Sequence, residues 1–211
     1  MKRVGNKINS LGFTIVELLI VIVVISILAS ITVVAFNGIQ DRALNTSRIS
    51  YARNALTAIQ MYKATHGQYP VIPDSAYTTG GTRAACLGEG WPLLQGDPVC
   101  WNIYTDGGAP GSSTFPQVDA VNDALDEVAK LGDYPQDIPF SGTDSGGRPV
   151  DMNAIVLVER PVGGNTIFPL GYSLAYILEG TIDTTECGVS GAQIQAFGGD
   201  FNVVRCVIEL P

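Results

Sequence analysis

Hydrophobicity changes its period along this chain. From Leu18 to Phe36, nineteen residues pass without a charge, apolar all round as a lipid-facing helix must be. Beyond that run, Ile39, Ala43, Leu44, Ala52, Ala55, Leu56, Ile59 and Tyr62 recur at spacings of three and four. Asp41, Arg42, Arg48, Arg53 and Lys63 fall largely between them. That pattern predicts an amphipathic helix with one face for a soluble domain. Between Phe13 and Thr65 there is no proline and a single glycine, Gly38. One continuous helix is therefore expected, about 80 Å long at 1.5 Å per residue. Asn37-Gly38 is its weak point, because interior glycine costs about 1 kcal/mol relative to alanine. His66-Gly67, with Tyr69-Pro70 close behind, supplies the stop.

Residues 67–116 are rich in Gly and Pro and read as a long irregular stretch, pinned by cysteines and by Trp91 and Trp101. Residues 117–131 predict a short amphipathic helix with Val121, Leu125 and Val128 on one face and Gly132 as its end. The last third predicts strands at Ala154–Glu159, Tyr172–Leu178, Ala192–Phe197 and Phe201–Glu209. Gly198-Gly199-Asp200 suggests a hairpin between the last two. The fold class is α+β: a long N-terminal helix packed on a small antiparallel sheet, with a strand order that the pattern does not specify.

Charge sharpens this picture. Three of the 12 basic residues, Lys2, Arg3 and Lys7, precede Phe13 with no acid among them, so nine basic face 20 acidic side chains in the remainder, a charge of −11. An acidic body argues against a basic patch for nucleic acid. Positive charge flanking an apolar run keeps that flank cytoplasmic, so everything after Phe36 is expected outside. The four cysteines fit that side of the membrane. They allow three connectivities; sequential pairing, Cys86–Cys100 and Cys187–Cys206, closes the two shortest loops and is the expected one. No C-x-x-C occurs and His66 is the lone histidine, so a zinc site is not expected.

The chemistry-bearing feature is Glu17, a carboxylate at the threshold of the apolar run. A charge at mid-bilayer costs about 2.5–3.5 kcal/mol on insertion scales, so such a residue calls for a partner. Its context, Gly12-Phe13-Thr14-Ile15-Val16-Glu17 followed by Leu, Ile and Val, resembles the class III signal of type IV pilins and pseudopilins. Gly67-Gln68-Tyr69-Pro70 resembles the G-x-Y-P found after the long helix of these proteins, and the Cys187–Cys206 segment their disulfide-bounded C-terminal loop. Residues 71–186 resemble nothing specific.

The resemblance implies three parts: a cytoplasmic leader at 1–12, a long helix at 13–66 and an extracytoplasmic head at 67–211. The helix would span the membrane at about 15–36 and serve as an amphipathic spine at 37–66. It implies cleavage between Gly12 and Phe13 by a prepilin peptidase, N-methylation of Phe13, and pairing of Glu17 with the Phe13 amine of a neighbouring subunit. Partners would be membrane lipid, further pilin copies, other pilins and a pilus assembly platform. The chain would wait in the inner membrane, single-pass, before entering an extracellular filament for adhesion, motility or DNA uptake. A pseudopilin of a type II secretion or competence system is the nearest alternative; a non-polymerising membrane-tethered binding module is a remoter one. The apolar run lacks the proline of many pilins, with Gly38 the candidate substitute for a bend.

Plainer readings explain less. A secretory signal has an apolar region of about 7–15 residues, shorter than this run and without Glu17; Val33-Val34-Ala35 is its best cleavage site here. A simple anchor leaves the Gly-Phe-Thr context without a reason. His66 is expected to be an exposed helix-end residue, and Trp91 and Trp101 are expected to pack the loops rather than serve surface adhesion. Asp144 to Asp151 offers oxygens to calcium, but without EF-hand spacing, so Asp144 and Asp151 are the weak candidates and a solvated turn is expected. With one histidine and no phosphate or dinucleotide fingerprint, no enzymatic activity and no cofactor are expected.

Overall fold

The computed structural model describes residues 14–78, 81–91, 93–94, 97–103, 114–135, 140–143, 149–152, 154–161, 168–181, 185–196 and 203–211. Two units separate, Met1–Arg42 and Ala43–Pro211. Helix α1, Ile15–His66, is assigned without a break through Gly38.

In the first unit, every described side chain from Thr14 to Thr32 is exposed. Ser26 Oγ donates to the Ile22 carbonyl at 2.6 Å, Ser30 Oγ to Ser26 O at 3.0 Å, and Thr32 Oγ1 to Ala29 O at 2.9 Å. These hydroxyls thus find acceptors on their own helix, the arrangement an apolar surrounding requires.

In the second unit, α1 buries Arg48, Tyr51, Ala52, Ala55, Ala58 and Ile59. The stripe carries alanines at its centre, and side chains that small let a helix approach a sheet closely. Ile39 is exposed, before this unit begins, and Ala43 is exposed at its start, so the buried face opens later than the periodicity suggests. Arg48 is a correction to the polar face: at a spacing of four and seven from Ala52 and Ala55 it shares their side, and it is buried. The helix ends on Gly67, whose φ of 74° lets its N–H bond Lys63 O at 2.8 Å, the left-handed cap that favours glycine. Tyr69 follows at once, giving its hydroxyl to Pro211 O at 2.5 Å and resting on the Tyr172 ring at 4.7 Å.

The main sheet contains β1 (Tyr77–Thr78), β2 (Thr82–Cys86), β8 (Ile155–Arg160), β9 (Gly171–Glu179), β10 (Gln193–Ala196) and β11 (Val203–Glu209), in the order β1-β2-β8-β9-β11-β10. All its pairings are antiparallel. The last two strands form the expected pair, Ile194 opposite Cys206; the Gly198-Gly199-Asp200 turn lies outside the described residues. β8, β9 and β11 are buried along nearly their whole length, which is why they read as continuous apolar runs rather than alternating ones.

The stretch expected to be irregular is instead partly β-structure. β1 and β2 fall in it, with β3 (Leu93–Leu94), β4 (Asp97–Ile103) and β5 (Phe115–Pro116). A second sheet has the order β3-β4-β7-β6, with β5 also on β4; β6 is Phe140–Thr143 and β7 is Pro149–Met152. Helix α2 is shorter than expected, Asp119–Asp126, and buries Val121, Asn122 and Leu125. Cys86 bonds Cys100, and Cys187 bonds Cys206. The first bond joins β2 of the main sheet to β4 of the second; the other fastens the segment after β9 to β11.

Trp91 and Trp101 are buried, with no surface left for adhesion. Trp91 stacks on Tyr134 at 4.8 Å, and Tyr134 meets Tyr51 of α1 edge-on at 5.2 Å. Trp101 lies against Phe115 at 5.3 Å.

Candidate functional site

Glu17 stands in the first turn of α1, and among the described residues its hydrogen-bond partner is Thr14. The Thr14 backbone N–H donates to Glu17 Oε2 at 2.9 Å, and the Thr14 hydroxyl donates to the same oxygen at 2.8 Å. In return the Glu17 N–H donates to Thr14 Oγ1 at 3.2 Å. Thr14 is the N-cap and Glu17 the third helical residue, so the pair is a complete capping box. It satisfies two backbone N–H groups that a helix start otherwise leaves bare. A carboxylate here also faces the positive end of the helix dipole. The arrangement is chemically simple: an exposed anion, held by its own chain, at the edge of an apolar surface.

That surface is long. Ile15–Thr32 is long and apolar enough to cross a membrane, and none of it is buried within the chain. Exposed Leu18, Leu19, Ile20, Ile22 and Ile25 are stable in water only if something covers them, lipid or protein.

Gly12 and Phe13 lie outside the described residues, as does Asp144. Asp151 is in β7, opposite Asn102 and Ser141. Among the described residues, no three His, Cys, Asp or Glu side chains gather as a metal site. His66 ends α1 stacked on Tyr62, with rings 4.1 Å apart, its Nδ1 3.2 Å from Tyr62 O and its Nε2 3.5 Å from Glu127 Oε2.

Thr14 is the residue that the sequence reading missed. Thr-x-x-Glu ahead of an apolar run is the capping-box pattern, and reading it only as part of a cleavage signal hides it.

The family described as "Prokaryotic N-terminal methylation motif" matches residues 8–33, a span that contains Gly12, Phe13, Thr14 and Glu17. Over 71 residues the chain is 34% identical to a fimbrial protein of Neisseria meningitidis serogroup A / serotype 4A (strain DSM 15465 / Z2491). That stretch covers 34% of this chain and 42% of the relative, so the chain spans less than half the length of the curated relative it matches. No solved structure matches.

Proposed function

We propose that this chain, which matches a prokaryotic N-terminal methylation motif over residues 8–33 and a fimbrial protein over 71 residues, is the structural subunit of a type IV pilus. A prepilin peptidase removes residues 1–12 and methylates the new terminus at Phe13. The subunit waits in the inner membrane, held by Ile15–Thr32, with Ala43–Pro211 outside. An assembly platform then moves it into a surface filament, where Glu17 pairs with the Phe13 amine of a neighbour. The subunit performs no catalysis; its activity is to polymerise.

The observation that carries this reading is the coincidence of Glu17 with an exposed apolar helix at the matched signal. The helix needs cover, and a helix bundle in a filament gives it. The charge needs a partner, and a terminal amine at the same depth gives it. An unpaired charge in such a setting is penalised by several kcal/mol, so pairing also selects one axial register. A fimbrial relative favours the pilus over a secretion pseudopilin.

Glu17→Ala in the producing cell is the test. The variant is expected to insert and be cleaved normally while surface filaments disappear. Filaments at wild-type abundance would sink the reading.

A further inference from the structure

Helix α1 is seated on the second unit in two different ways. From Tyr51 onward the seat is apolar: Tyr51, Ala52, Ala55, Ala58 and Ile59 are buried. The partly buried fringe of that core begins at Ile49. Over residues 43–48 the seat is polar. Ala43, Thr46 and Ser47 are exposed, Leu44 and Asn45 are half-buried, and the buried side chain is the charged Arg48.

Asn45 fastens this stretch to β9. Its Nδ2 donates to Glu179 O at 2.8 Å, and the Glu179 N–H donates to its Oδ1 at 2.9 Å. Arg48 lies beside the buried Tyr134 hydroxyl. Its burial holds weakly, because a guanidinium taken out of water loses in desolvation much of what its contacts gain. Apolar burial carries no such offset. Stretches that bury little apolar surface open locally while the rest of a fold stays closed.

We propose that residues 43–48 are a releasable stretch of α1 and that Asn45 is its latch. When the two bonds to Glu179 open, Arg48 regains water and the helix lifts from the sheet as far as Arg48. Residues 51–59 stay seated. The release frees six residues, about 9 Å of helix at 1.5 Å per residue, without unfolding the unit. The start of the second unit at Ala43 is then movable: latched, α1 joins it at Ala43; released, at Ile49. The device is independent of the reading of Glu17.

Arginine-selective labelling with phenylglyoxal tests this on the full chain in detergent, with the Arg48 peptide followed by mass over time. Arg48 is 1% exposed, so it reacts only when α1 lifts. Asn45→Ala removes both bonds; Asn45→Asp keeps the shape and the acceptor and removes the donor. Each is expected to speed labelling of Arg48 about tenfold or more, the equivalent of about one hydrogen bond lost. Ile59→Val trims the apolar seat and lowers the folding constant of the whole unit about two- to tenfold. It is expected to leave the Arg48 rate unchanged.

Three outcomes would overturn the proposal. Equal Arg48 rates in the wild type and both Asn45 variants would remove the latch. An Arg48 rate that rises in Ile59→Val by the factor its urea stability falls would mean that α1 leaves only with the whole unit. An Arg48 that stays unlabelled until urea unfolds the chain would mean the same. Should neither Asn45 variant fold, the wild type against Ile59→Val still decides between local release and whole unfolding.

Discussion

Asn122 and Gly88 are joined by two hydrogen bonds, Gly88 N–H to Asn122 Oδ1 at 3.0 Å and Asn122 Nδ2 to Gly88 O at 3.1 Å. One buried side chain of α2 thus completes the backbone of the turn after β2, and Trp91 Nε1 adds a third bond to Gly88 O at 3.1 Å. Asn122→Leu would leave the buried Gly88 N–H without its acceptor and Gly88 O with Trp91 Nε1 alone, at a cost of about 1–3 kcal/mol. The check is urea unfolding of the detergent-solubilised chain, followed through its tryptophans; an unchanged midpoint would contradict the role.

Gly88 itself admits no side chain. Its φ is +89°, and a Cβ would sit 2.0 Å from Tyr51 Oη and 2.9 Å from Gly132 O. Tyr51 cannot simply swing aside, because its hydroxyl donates to Gly132 O at 3.0 Å. Gly88→Ala combines backbone strain of about 1–3 kcal/mol with overpacking of similar size. The expected result is loss of the folded head, measured as protease resistance of the unit Ala43–Pro211.

The disulfides should contribute comparably. Their loops span 14 and 19 residues in sequence, and chain-entropy estimates for loops of that size give about 3 kcal/mol each. Cys187→Ala/Cys206→Ala and Cys86→Ala/Cys100→Ala are each expected to lower the urea midpoint of the full chain. Loss of both pairs should exceed the 5–15 kcal/mol margin of a modest domain when it is at the low end. Equal midpoints with and without reductant would refute the estimate.

Alkaline stability follows from buried phenols. Burial, reinforced by the Glu159 charge, pushes Tyr172 up to about 12. Burial likewise raises Tyr51, Tyr134 and Tyr176. A folded-state pKa above the ordinary 10 means that the unfolded chain releases its proton first. The stabilisation is therefore complete below about pH 10 and is lost as pH rises through about 12. Tyrosinate absorbance should lag behind that of free tyrosine and then appear together with unfolding; independent titration near pH 10 would count against the packing described.

The processing reading has a direct check in the mature N-terminus. Mass spectrometry of membrane-extracted protein is expected to give Phe13 carrying one added methyl group. An intact Met1, or a start near Phe36, would exclude the signal as read.

Much of the fold is legible from periodicity, for reasons that particular residues show. β8, β9 and β11 are dense in Val, Ile, Leu and Tyr because both faces are covered, and such runs are visible without knowledge of their partners. β2 is Thr-Arg-Ala-Ala-Cys, poor in strand formers, and is made a strand by β8, whose Glu159 pairs with its Arg83. Two-residue strands such as β3 and β5 have no period to detect, and Pro98 and Pro116 in β4 and β5 argue against strands locally. Arg48 misled by its charge, although its spacing placed it with the alanines; its guanidinium lies beside the buried Tyr134 hydroxyl. At the candidate site, Glu17 was conspicuous because an acid beside an apolar run is rare, whereas Thr14 looked ordinary until its three hydrogen bonds were seen.

Asn45 ties α1 to the end of β9. Its Nδ2 donates to Glu179 O at 2.8 Å and its Oδ1 accepts from Glu179 N at 2.9 Å, so the side-chain amide imitates one more strand at the end of β9. Asn45-Thr46-Ser47 is also an N-glycosylation triplet. The nitrogen that would carry a sugar is the one committed to Glu179. Once the unit has folded, that acceptor is withdrawn, so any glycan there would have to be attached to the unfolded chain and would then break the bridge.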